Sequence, residues 1–365
     1  MRSAFAPSRR LRCARRDERK DDLEAAFLNA PGSSLRTYLR RAAAPAFFLL
    51  ALLPCAARCQ ITPSQANQIR TGIDNRIEAL TILGGDFGFS DGSFRSGGHQ
   101  QPGRASNQVE SDVTKGGGSG DVGDPMPIGN LNIGWQPRLQ GNLGYLESEN
   151  LPRVGLLASD RSAYRTDALE FGVGARLWLS DRFSIAPTLS GLFGHTSNTY
   201  TANSAFLRAN QKLATQLGLI NWSIDTWTLR PAINAQYIIN WGRSLITLSS
   251  DSTYFHTEDF GSSNPNVYIS GDSGSLTNKI DLDIPLGFEV RGHELRSGGY
   301  FSRTEMFGDL RSGLDVEHIN ELHGRLVMDF LNQFWKVQWI GVGASYLWGP
   351  NITGWTVGAD VAFRF

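Results

Sequence analysis

The sequence predicts an all-β protein: a transmembrane, antiparallel, up-and-down β-barrel of about 12 strands, preceded by a short amphipathic helix. Three observations predict it. Apolar and polar residues alternate with period two from Ile128 to the C-terminus, and aromatic residues sit at the ends of the apolar faces. No apolar run after residue 60 approaches the roughly 20 residues that a membrane-crossing helix needs.

The alternation is clearest in four segments. In 227–241, Trp227, Leu229, Ile233, Tyr237, Ile239 and Trp241 share one face, and Thr228, Arg230, Asn234 and Gln236 the other. In 280–290, Ile280, Leu282, Ile284, Leu286, Phe288 and Val290 alternate with Asp281, Asp283, Gly287 and Glu289. Segment 169–179 sets Leu169, Phe171, Val173 and Leu177 against Glu170 and Arg176. Segment 355–365 sets Trp355, Val357, Ala359, Val361, Phe363 and Phe365 against Asp360 and Arg364.

Weaker alternation marks 139–146, 182–194, 213–222, 244–255, 293–304, 320–330 and 337–348. A further strand is expected near 128–135, and 151–157 or 309–317 can add another. About 11 strands emerge, and the even numbers of bacterial barrels favour 12. Short breaks such as Ser180-Asp181 and Arg291-Gly292 alternate with longer polar stretches at 195–212, 256–276 and 305–319. Turns at one end and loops at the other is the asymmetry of an outer-membrane barrel.

A soluble β-sandwich alternates too, because each sheet buries one face. The strands here run about 10–15 residues, against the ~5–6 usual in soluble sheets. Trp227 and Trp241, Trp355 and Phe365, and Tyr346 and Trp348 rim the apolar faces. Indole and phenol rings favour that headgroup level. In lipid only a closed barrel satisfies every backbone group, so the polar face must point into a lumen. Arg176, Arg230, Asp281, Asp283, Glu289, Arg325, Asp329, Asp360 and Arg364 are therefore expected to line it, their opposed charges closing the lumen or tuning passage.

The N-terminal region reads differently. Ala42 to Leu53 is a short apolar run behind Arg36, Arg40 and Arg41, with small residues after it. This is the layout of a signal peptide, expected over 35–59, with cleavage after Ala57 or Cys59. The Arg-rich residues 1–34 precede it, as a mis-annotated or unstructured extension or as part of an unusually long signal. Export and the barrel pattern together predict the cell outer membrane. Helix 60–85 follows: Thr62-Pro63 opens it, Ile69, Ile73, Ile77 and Leu80 share a face, and Gly84-Gly85 ends it. Residues 86–127 lose all periodicity and read as a Gly/Ser-rich flexible linker or loop, which leaves 128–365 for the barrel.

Of 35 basic and 35 acidic residues, 12 and 5 lie in 1–59, so the exported part carries 23 against 30. An acidic chain without a basic stripe does not suggest a nucleic-acid partner. All three cysteines, Cys13, Cys55 and Cys59, lie at or before the expected cut, which removes disulfides and thiolate metal sites if cleavage follows Cys59.

The layout resembles the autotransporter translocator barrel, and specifically the solitary outer-membrane autotransporter-like β-barrel family. The residues carrying it are helix 62–83, the run Leu80-Thr81-Ile82-Leu83-Gly84-Gly85-Asp86-Phe87-Gly88, and the alternating strands to residue 365. The resemblance implies about 12 strands and a helix in the lumen, with no passenger, since only residues 60–61 separate signal from helix. The final strand, Trp355 to Phe365, resembles the signal read by the barrel assembly machinery, an expected partner alongside outer-membrane lipid and lipopolysaccharide.

Six histidines are the remaining chemical candidates: His99, His195, His256, His293, His318 and His323. His256, with Glu258 and Asp259 nearby, is the place where a barrel hydrolase would hold a general base. An exposed histidine in an acidic loop is the commoner situation. His293 and His323, on separate strands, make no metal motif, and no catalytic residue, metal or cofactor is assigned. The expected role is non-enzymatic, structural or pore-like, with a selective channel or an outer-membrane hydrolase as alternatives.

Overall fold

The computed structural model describes residues 89–96, 108–129, 133–151, 160–330 and 337–363. The expected helix 60–85, the signal region and residues 1–34 lie outside them, as do Arg364 and Phe365. In chain order the strands are β1 (Phe89–Ser96), β2 (Gln108–Asp121), β3 (Met126–Pro127), β4 (Gly134–Leu151), β5 (Arg161–Trp178), β6 (Phe183–Thr201), β7 (Trp222–Trp241), β8 (Ser244–Ser262), β9 (Ser270–Val290), β10 (His293–Gly308), β11 (His318–Asp329), β12 (Val337–Gly349) and β13 (Ile352–Phe363). Two helices interrupt them: α1 (Ala205–Gln216) and α2 (Asp309–Leu314).

Each long strand pairs antiparallel with its neighbours, β2 pairs with β4, and β1 pairs with β13, so the sheet closes on itself. Only the two-residue β3 stays outside the ring, pairing with β4 alone. The wall is a closed 12-stranded barrel, with β1 joining Val109–Lys115 of β2 to Ile352–Ala359 of β13. Such closure pairs strand edges that lipid could not satisfy.

Its stagger follows from the registers. Cross-strand partners lead from Phe183 through Tyr237, Leu248, Ile280, Phe301, Leu322, Tyr346 and Trp355. They continue through Ser93, Asp112, Glu147 and Arg165 and return to β6 at Ser197, 14 residues along (183 to 197). Twelve strands with that displacement tilt about 40° from the barrel axis and stand about 12 Å from it.

Pleating sends alternate side chains in and out. Phe171, Val173, Ile233, Trp241, Ile280, Phe288, Val342 and Trp355 project outward and are exposed, while Thr166, Glu170, Ser190 and Thr228 between them are buried. An apolar surface on that scale is tenable only against lipid. Tight turns join β5 to β6, β7 to β8 and β9 to β10 at one end, as at Arg291-Gly292, where both residues take positive φ (56° and 81°) in a two-residue hairpin. One further tight turn, Pro350-Asn351, lies at the other end beside α2. At the opposite end the chain makes the long connections that carry α1 and α2. By the usual asymmetry the loop end faces outside and the turn end faces the periplasm.

Several expected boundaries are corrected. Residues 86–127 are not a linker throughout: they supply β1 and β2, and the barrel begins by Phe89 rather than 128. Glycines hide the strand, because Gly116, Gly117 and Gly118 have no side chains to alternate. At Gly117 the reason is close approach, since a Cβ there would fall 1.8 Å from Asn142 Oδ1 and 2.5 Å from the Gly141 carbonyl. The segment 128–135 holds only the first residues of β4, which starts at Gly134. Segment 213–222 is the end of α1, a turn and the first residue of β7, and 309–317 contains α2 rather than a strand. Residues 152–157 lie outside the described residues. The strands also outrun their expected ends, β9 reaching 21 residues.

Candidate functional site

The lumen divides into a polar half toward the turns and an apolar seal toward the loops. The polar half is a cavity of about 700 Å³ bordered by Arg138, Arg176, Arg230, Asp251, Lys279, Asp281, Asp283, Arg296, Arg325 and Asp329. Of the residues expected to line the lumen, Arg176, Arg230, Asp281, Asp283, Arg325 and Asp329 border this space. Glu289 does not; it is exposed near the Arg291-Gly292 turn. Asp360 pairs with Gly341 on the wall, its side chain outside the description, and Arg364 lies outside the described residues.

The arginines are held by carboxylates on other strands. Glu170 is fully buried and accepts from Arg230 Nη1 through both oxygens at 3.0 Å, and from Gln140 (2.9 Å), Asn142 (2.9 Å) and Ser190 (2.5 Å). Arg176 donates to Asp121 (2.8 Å), Ser184 (2.9 Å) and Gln236 (2.5 Å), and Asp121 also accepts from Arg138 (2.9 Å). On the β9–β11 side of the wall Arg325 reaches over β10 to make a two-pronged pair with Asp281 (2.9 and 2.7 Å), and Arg296 bonds Asp283 of β9 (2.8 Å) and Glu294 of its own strand (3.1 Å). Buried charges survive only when paired in this way.

Sequence reasoning missed Asp121 because its strand was taken for a linker, and Arg138 because it fell between the expected strands 128–135 and 139–146. It also passed over Arg296 and Glu294, whose hairpin bulges between Glu294 and Arg296 and breaks the simple alternation.

The seal is built from inward side chains and loops together. One cluster joins Val113, Leu146, Tyr164 and Ile224 of the wall to Val267 and Ile269 of the β8–β9 connection. A second joins Phe255, Met306 and Ile352 to Leu310, Leu314 and Val316 in and after α2. Phe94 packs against both, so the two form one plug across the outer mouth. The plug is pinned to β9: the Asp272 N–H donates to Asp309 (3.2 Å), and the Leu310 N–H to Ser273 Oγ (2.8 Å).

A second loop structure stands beside it. Asp160, only 1% exposed, accepts from the backbone N–H groups of Asn203 (2.7 Å) and Ser204 (2.6 Å), the Ser204 hydroxyl (2.8 Å) and the Tyr200 hydroxyl (3.1 Å). Ser204 in turn caps α1, accepting from the Leu207 N–H. Burial pushes the Asp160 carboxyl up, but the bonds from Ser204, Asn203 and Tyr200 outweigh it and hold the group below the usual carboxylate range.

The histidines do not converge. His195 meets Asp225 (2.6 Å) on the outer face, and His323 stacks on Tyr300 (centroids 4.6 Å apart) inside. His293 Nδ1 lies 3.0 Å from the Asp329 carbonyl, and His99 lies outside the described residues. Among the described residues no group of three or more ligating side chains could hold a metal. His256 has Asp272 at Nδ1 (2.8 Å) and Glu258 at Nε2 (3.3 Å).

A closed 12-stranded barrel with an apolar outer face, a polar lumen and long loops gathered at one end defines a β-barrel of the outer-membrane type. The chain belongs to the solitary outer membrane autotransporter beta-barrel domain family, which matches residues 127–358. That match starts after β1 and β2, the two strands that complete the ring here.

Among solved structures, the transport unit of the autotransporter AIDA-I from Escherichia coli is 9% identical, with 81% of this chain and 99% of that one covered at a TM-score of 0.50. The translocator domain of NalP from Neisseria meningitidis is 11% identical over 83% and 97%, at 0.46. The beta domain of Bordetella BrkA is 11% identical over 76% and 100%, at 0.45. No curated protein matches the chain.

Proposed function

We propose that this protein is a non-enzymatic, pore-like barrel whose polar lumen is kept shut at the outer mouth by its own loops. The observation that carries the reading is the stacking of an apolar plug over a charged cavity of about 700 Å³. A water-filled passage needs the polar half, and Leu310, Leu314 and Val316 block its continuation outward. Replacing 309–316 by a Gly-Ser linker and recording in planar bilayers tests it. The intact protein is expected to stay mostly closed and the variant to conduct in steady steps; silence from both would overturn the reading.

The hydrolase alternative has less support: His256 stands between two carboxylates, Asp272 at Nδ1 (2.8 Å) and Glu258 at Nε2 (3.3 Å), rather than between one carboxylate and a nucleophile hydroxyl. We further propose export by a cleaved signal over 35–59 and recognition of the last strand by the assembly machinery. Removing Phe365 is expected to leave the chain in the periplasm while it still refolds in detergent, read by fractionation and heat-modifiable gel mobility.

A further inference from the structure

The outward face of the β8–β9 hairpin does not end with the apolar band. Leu248 and Tyr254 on β8 and Ile280 on β9 belong to the lipid-facing surface. Continuing outward along the same face, the cross-strand rungs are Tyr254 with Gly274, His256 with Asp272, and Glu258 with Ser270. Glu258 is also the partner of Trp227, the last aromatic residue of the β7 outer face before Asp225. Positions beyond Glu258 therefore stand past the membrane boundary while still facing sideways over it.

Two aromatic side chains occupy that place. Phe260 is 63% exposed and Tyr268 58%. Their aim is built in. Asp225 pairs with Gly261 and Thr226 with Asp259, so Phe260 is the extra residue of a β-bulge with no partner on β7. Tyr268 lies between Val267 and Ile269, both buried in the plug, which forces its ring the other way. The backbone between them is closed by Asp259 N–H to the Ile269 carbonyl (3.1 Å) and Ile269 N–H to Asp259 Oδ1 (2.8 Å).

Exposed rings on a rigid support, continuous with the lipid interface and above carboxylates, fit one kind of occupant. We infer that this strip docks the sugar headgroup of an outer-leaflet glycolipid, with a pyranose face on Phe260 and Tyr268 and its hydroxyls donating to Glu258 Oε2 and Asp272 Oδ2. These are the carboxylate oxygens beside those that His256 and Tyr254 engage. From Tyr254 to Phe260 the strip runs about 20 Å along the strand, or about 15 Å in height at the ~40° tilt, enough for two or three sugar rings. Carboxylates accept well from hydroxyls and repel bare phosphate, so the strip selects the sugars and not the phosphates of such a lipid. Apolar ring faces beside hydrogen-bonding groups match the amphipathic surface of a pyranose. The inference deepens the proposed outer-membrane orientation and rests on it.

The test uses the full chain in mixed micelles, titrated with rough lipopolysaccharide bearing core sugars and, separately, with lipid A alone, following tryptophan emission. Core sugars are expected to tighten binding at least about tenfold over lipid A, and Phe260→Ala with Tyr268→Ala to remove that advantage. Glu258→Gln should weaken it partly. Equal affinity for the two lipids would overturn the inference. So would a preference that survives the double substitution, or one that EDTA abolishes while the substitutions do not, which would mark cation-bridged phosphate instead. Unchanged heat-modifiable mobility reports that each variant is folded. Opening of the lumen by the 309–316 replacement is read separately, so the failure of either idea leaves the other standing.

Discussion

Glu170 takes the heaviest electrostatic load in the lumen wall, with no solvent contact and donors from Gln140, Asn142, Ser190 and Arg230. Cutting it to alanine removes the carboxylate that faces Arg230 in a largely dehydrated site, and losing one partner of such a pair costs up to about 3–5 kcal/mol. Glu170→Ala should lower the unfolding free energy of refolded protein, read from a urea titration, by up to that amount, while Glu170→Gln with Arg230→Met should recover most of it. Asp160 gives a pH-dependent counterpart. Its folded pKa is depressed, so its contribution is present above the unfolded value of about 4 and is lost as pH falls through the folded value. Protease cleavage within 202–221 should therefore rise on acidification below about pH 4, and Asp160→Asn should cleave readily at pH 6 as well. Arg176, Arg230 and Asp281 were readable as interior residues from parity alone. Asp121 was not, because reading a residue's face requires knowing that it lies on a strand.

At the scale of elements, legibility followed side-chain contrast. β7 and β9 announce themselves because large apolar residues alternate with polar ones over many positions. β2 does not: where Lys115-Gly116-Gly117-Gly118 faces Gly144-Leu143-Asn142-Gly141, tolerance of close approach replaces alternation. α2 was unreadable for another reason, since six residues are too few for a helical period to show. It is set by tertiary contacts, with Leu310 and Leu314 buried in the plug. Its entry depends on Gly308, at φ 67° and ψ −142°, where a Cβ would sit 2.2 Å from the Asp272 carbonyl. Only glycine tolerates both conditions. Gly308→Ala should loosen α2 at a cost of about 1–3 kcal/mol, seen as brief openings in bilayer recordings that the parent protein lacks.

For the whole molecule, tilt and stagger decide where the membrane sits. Because strands lean about 40°, residues paired across the wall climb from strand to strand, and one cross-strand row leads from Phe183 at a turn to Ser197 near the loops. The lipid boundary thus crosses different register positions on different strands, which explains why aromatic pairs located the band on single strands but could not align one strand with the next. β7 contains the cleanest section through it, with Ile233 midway between Trp227 and Trp241 and 55% exposed. A charge at that depth must be dragged into hydrocarbon, whereas one beside the turn can reach water. Ile233→Arg should cost about 2–4 kcal/mol of folding free energy in lipid vesicles and Trp241→Arg about 0–1, measured as shifts in the urea dependence of the folded gel band. Equal penalties would mean that the outer face of β7 does not run through the bilayer, and the orientation built on Trp227 and Trp241 would fall with it.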